Sequence, residues 1–71
     1  MEQSYKDHRI EVSAYRDGDT WFTSSYIYYS EGSRNILLTF PINQEFKTYH
    51  EAIEAGLLAA KKWIDERRLI S

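Results

Sequence analysis

The chain has 71 residues, enough for one domain, and its 42% hydrophobic and 28% charged content is that of an ordinary soluble globular protein. Nine Lys and Arg against eleven Asp and Glu leave a net charge of −2, which gives no general attraction to nucleic acid or anionic lipid. The lack of Cys excludes disulfides, thiolate nucleophiles and Cys-based metal clusters and makes a reducing cytoplasm the expected compartment, and no run nears the roughly 20 apolar residues of a membrane span.

From His8 the apolar residues Ile10, Val12 and Ala14 alternate with Arg9, Glu11 and Ser13, the period of a half-buried strand, expected over 8–15. Asp17-Gly18 is a hairpin signal of the type I′ kind. The aromatic and β-branched stretch that follows predicts a second strand over 20–30. Glu31-Gly32 marks another turn, and Arg34 to Ile42 a third strand, whose Pro41 places it at a sheet edge because a central strand could not spare the N–H donor.

Taking Asp17-Gly18 and Glu31-Gly32 as two-residue loops pairs Ala14 with Trp21, Val12 with Thr23, Ile27 with Ile36 and Thr23 with Phe40. Both hairpins then put Ile10, Val12, Ala14, Trp21, Ile27, Ile36, Leu38, Phe40 and Ile42 on one face. That face needs a cover. Thr48 and Glu51 have the spacing of a capping box, so a helix is expected over 48–67, with Ile53, Leu57, Ala60 and Ile64 as its apolar stripe and Tyr49, Gly56, Trp63 and the Arg67 stem beside them. Gly56 implies close approach to the sheet, under a Trp side chain, and Arg67 and Arg68 complement the helix dipole. Leu58 lies among charged positions as a surface residue. The expected fold is α+β: one domain over 1–71, a three-stranded antiparallel meander of order 1-2-3 with one C-terminal amphipathic helix on one face. Trp63→Ala or Phe40→Ala is expected to cost about 3–5 kcal/mol.

Catalytic patterns are missing. The serines form no nucleophile elbow, His8 and His50 lack metal-ligand spacing, Glu51 and Glu54 fall on a solvated helix face, and the three glycines are scattered. No enzyme activity, cofactor or metal is expected. The opposite sheet face is more informative, because Arg9, Tyr15, Phe22, Tyr26, Tyr28 and Leu37 share it and an apolar-aromatic patch marks a contact surface. It suits dimerisation by sheet packing, or base stacking in a single-stranded nucleic-acid-binding module, which the acidic balance argues against. The window Ile36-Leu37-Leu38-Thr39-Phe40 is β-prone and chargeless, so the third-strand edge needs either strand pairing in a homodimer or cover from residues 43–47. Asp7, His8, Arg9 and Glu11 guard the first strand's edge.

Tyr5-Lys6, Trp21, Glu51-Ala52, Ala59-Ala60 and Trp63-Ile64-Asp65 together resemble a group of small bacterial proteins built of three strands and a helix, and more distantly the short HlyU-type transcriptional activator family. Those relatives carry Gly after the Tyr-Lys pair, where this chain has Asp7. The resemblance implies binding rather than catalysis. The reading is therefore a non-enzymatic interaction module, a homodimer through the open face or the third-strand edge, with a further protein partner open.

Overall fold

Lys6 and Asp7 turn the chain back on itself before the first expected strand. Both take positive φ, 47° and 64°, the pair of left-handed conformations a type I′ hairpin turn demands. The computed structural model describes residues 1–70, with side chains through Arg67. In it β1 (Glu2–Tyr5) pairs antiparallel with β2 (His8–Asp17) across this turn. The Met1 ammonium donates to the Val12 carbonyl at 3.0 Å and the Val12 amide to the Met1 carbonyl at 2.8 Å, which extends the ladder. The meander of three strands is thus corrected to four. A Lys-Asp turn lacks the Gly that usually marks such a loop, and β1 is too short to show alternation.

β3 (Thr20–Glu31) and β4 (Arg34–Phe46) complete an antiparallel sheet of order β1-β2-β3-β4. Asp17 pairs with Thr20 and Glu31 with Arg34, so the two-residue loops are Gly18-Asp19 and Gly32-Ser33, one residue later than expected in both hairpins. Gly18 and Gly32 carry φ of 65° and 62°, and each occupies the first central position, where a II′-type loop places Gly. Ala14 consequently faces Thr23 and Val12 faces Ser25. Ile27 faces Leu38, and Thr23 faces Ile42. Each partner has moved by two residues, and because side chains alternate with period two every residue keeps its expected face.

Residues 43–46 do not fold over the sheet edge. They continue β4 through a bulge, the register jumping between the Thr23–Ile42 and Trp21–Phe46 pairs. Edge cover by 43–47 is therefore overturned, and β2 is an interior strand rather than a guarded edge, since β1 lies outside it.

α1 (Tyr49–Ile70) starts at the expected cap. The Glu51 amide donates to Thr48 Oγ1 at 3.1 Å, while the Glu51 carboxylate accepts from the Lys47 amide at 3.4 Å, one residue before the expected reciprocal partner. The expected dipole role of Arg68 falls on a side chain outside those described. Ile10, Val12 and Ile27 of the sheet and Ile53, Ala60 and Ile64 of the helix form the buried core, with Leu57 and Trp63 packed against it half-buried. Gly56 lies over the sheet, but no Trp covers it. A Cβ there would stand 2.5 Å from Val12 Cγ1, 3.0 Å from Thr23 Oγ1 and 3.2 Å from Ser25 Oγ, so Gly is what lets the helix sit this close.

One helix cannot cover four strands. A helix is about 10–12 Å across and strands are about 4.8 Å apart, so α1 spans roughly two of them. It sits over β2 and β3, which hold the fully buried sheet residues, and leaves Ile36, Leu38, Phe40 and Ile42 of β4 half-buried.

Candidate interaction surface

Register decides which open-face side chains meet. Arg9 pairs with Tyr28, Glu11 with Tyr26 and Tyr15 with Phe22, and across the next ladder Tyr28 pairs with Leu37 and Tyr26 with Thr39. Arg9, Tyr15, Phe22, Tyr26, Tyr28 and Leu37 therefore do share one face. They do not form one patch. Tyr15 and Phe22 stack at one end, centroids 5.5 Å apart and planes 21° from parallel. At the other end the Arg9 guanidinium lies 4.4 Å from the Tyr28 ring centroid, and Glu11 accepts from the Tyr28 hydroxyl at 3.4 Å. Ser13 and Ser24 separate the two groups. Among the apolar and aromatic members Tyr15 and Leu37 are the most open at 57% and 54% exposure, whereas Phe22, Tyr26 and Tyr28 are half-buried among their neighbours.

An open groove of about 860 Å³ lies at the second end, lined by Ser4, Lys6, Arg9, Tyr28, Asn35 and Leu37 among others. Two of its cations are already engaged: Arg9 approaches Glu2 at 3.9 Å, and Lys6 pairs with Asp65. The Asp65 carboxylate, accepting from Lys6, raises the lysine above its ordinary pKa of 10.5.

On the helix side, His8 is buried beneath the end of α1. A carbonyl can only accept, so Nδ1–H of His8 donates to the Lys6 carbonyl at 2.6 Å, and Nε2 is left to accept from Arg67 at 3.3 Å. Arg67 also donates to Glu31 at 3.2 Å and lies 4.1 Å from the Tyr29 ring centroid. This network ties the helix to β2 and β3. No buried side-chain N or O among the described residues lacks a hydrogen-bond partner. His50 is exposed, 3.2 Å from Glu54, and Leu58 is 69% exposed. No group of His, Cys, Asp or Glu among the described residues is disposed to hold a metal ion, and no helix is long and apolar enough to cross a membrane.

No family model matches the chain, and no curated protein or solved structure matches it.

The surface that sequence reasoning missed is the inner row of β4. Ile36, Leu38, Phe40 and Ile42 were expected in the core and are half-buried instead. The available signal was the ratio of areas, nine apolar sheet positions against a single helical stripe. This row adjoins a free backbone edge. The Gly32-Ser33 loop is closed by the Glu31–Arg34 pair, which is hydrogen-bonded as turn-closing pairs are, and antiparallel pairs then alternate. Asn35, Leu37, Thr39 and Pro41 of β4 therefore turn their backbone groups away from β3, and Pro41 falls where its missing donor costs the sheet nothing.

Proposed function

We propose that this chain is a non-enzymatic interaction module that self-associates through the β4 edge. The observation carrying this reading is that β4, one of the two edge strands of the sheet, is only partly covered by α1 and holds an apolar row half-buried beside its free edge. Ile36, Leu38, Phe40 and Ile42 expose apolar side chains beside the outward amides of Asn35, Leu37 and Thr39, and residues 35–42 carry no charge. Natural edges are blunted by Lys, bulges or cover, and here Pro41 and the bulge after it do so, in the second half of the strand. The open face supports association less well: Tyr15 stacks on Phe22, and Arg9 already covers Tyr28. The same engagement of Arg9, together with Glu2 and Glu11 beside it, weighs against nucleic-acid binding.

Light scattering over a dilution series tests the reading and is expected to give twice the 8.5 kDa of one chain. Thr39→Pro deletes an outward donor without touching the ladder inside the protomer, and should yield a folded monomer. Tyr26→Lys on the open face should leave the dimer intact. A monomer for the unmodified chain, or a dimer that survives Thr39→Pro and dissociates with Tyr26→Lys, overturns the edge reading.

A further inference from the structure

We infer that two copies of this chain join through antiparallel β4 strands on a two-fold axis passing through Leu37, making one continuous sheet; this rests on the edge reading above. Only residues with outward backbone groups can form the hydrogen-bonded pairs, and in β4 these are Asn35, Leu37, Thr39 and Pro41. An axis at Leu37 sets Leu37 against the second copy's Leu37, and Asn35 and Thr39 against the second copy's Thr39 and Asn35. Each pair exchanges both of its hydrogen bonds. Moving the axis to Leu38 sets Asn35 against Pro41, which has no donor, and leaves the Asn35 carbonyl unanswered. Moving it to Ile36 sets Thr39 against Ser33, which belongs to the Gly32-Ser33 turn and not to a strand.

The side chains agree with the backbone. On the inner face the Leu37 axis sets Ile36 against Leu38 and Arg34 against Phe40, extending the half-buried row and giving the guanidinium an aromatic face. On the outer face it sets Asn35 against Thr39, two hydrogen-bonding side chains, beside a Leu37–Leu37 contact that would bury the 54% of that side chain now exposed. A two-fold axis brings each residue close to its own copy, so a charge near it would repel itself. Residues 35–39 contain none. The helix does not obstruct the joint, because α1 lies over β2 and β3 and away from the edge.

The chain has no Cys, so introduced cysteines report the register directly. In a non-hydrogen-bonded antiparallel pair the Cα atoms are about 4.5 Å apart and the side chains approach closely enough for a disulfide, and with the axis at Leu37 such a pair joins Ile36 to the second copy's Leu38. Under mild oxidation the Ile36→Cys/Leu38→Cys double variant should give a covalent dimer on a non-reducing gel. Ile36→Cys and Leu38→Cys singly serve as the axis-shift controls and should stay uncrosslinked. A dimer by light scattering in which Ile36→Cys or Leu38→Cys crosslinks alone, or in which the double variant does not crosslink, overturns the register while self-association stands. A chain that is monomeric at every concentration overturns both.

Discussion

The hydroxyl of Ser25, in the middle of β3, donates a 2.7 Å hydrogen bond to the Gly56 carbonyl of α1. Both residues are buried, so the contact marks the point of closest approach between helix and sheet. Val12 and Thr23 flank it. Gly56→Ala gains about 1 kcal/mol of helix propensity but drives a methyl into Val12 and the two hydroxyls, at an overpacking cost of about 1–3 kcal/mol. Net destabilisation is expected in urea unfolding, and because the clash is mainly with Val12, Val12→Ala should cost less in the Gly56→Ala background than alone. Additive effects would show that the helix moves away instead.

The Lys6-Asp7 turn holds two non-glycine residues in left-handed conformations. Asp7→Gly should raise stability by up to about 1 kcal/mol, since Gly adopts positive φ without the Cβ penalty. Gly18→Ala and Gly32→Ala are the opposite case, φ of 65° and 62° with open space around the new methyl, and should each cost about 1 kcal/mol through backbone strain alone. Denaturant midpoints of the three variants check the sign.

Core truncation should rank by burial. Ile27→Ala and Ile64→Ala remove side chains with no exposed surface and should cost about 2–5 kcal/mol, enough to unfold much of a domain of marginal stability. Phe40→Ala and Trp63→Ala, half-buried in the structure, should fall below the 3–5 kcal/mol typical of a buried aromatic. Thermal unfolding at dilutions where the chain is monomeric measures the order.

Lys6 and Asp65 clip the first turn to the helix. Because the folded state raises the lysine above 10.5, its contribution to stability is complete below that pH and disappears as pH climbs through the folded value. Lys6→Met lacks the contribution at every pH. The gap between the melting temperatures of Lys6→Met and the unmodified chain should therefore be constant through neutral pH and close in alkali. A gap that persists unchanged above the lysine's titration would show that the lysine's charge is not its cause.

The proposed self-association through β4 would explain why so apolar a strand lies at the sheet boundary. Ile36, Leu38, Phe40 and Ile42 are spaced for a core that one helix is too narrow to complete. In the proposed dimer a second copy would supply the missing neighbour without a second helix.

Facing was determined by the sequence alone. Strict alternation from Ile10 to Ala14 and the apolar period of Ile53, Leu57, Ala60 and Ile64 set the two surfaces that meet, and Thr48 with Glu51 set where the helix begins, because each of these signals is local and repeats over several residues. The open-face positions of Arg9, Tyr15, Phe22, Tyr26, Tyr28 and Leu37 follow from the same alternation and survive the change of loop register. Only the tertiary structure decided that residues 2–5 form a strand, since a four-residue segment gains its order from pairing with β2 and not from its own pattern. It alone decided which apolar residues are core: Ile27 and Phe40 occupy the same sheet face, and the position of a single helix over β2 and β3 buries the first and leaves the second at the margin. Burial is a property of what lies opposite a residue, and a one-dimensional pattern does not contain it.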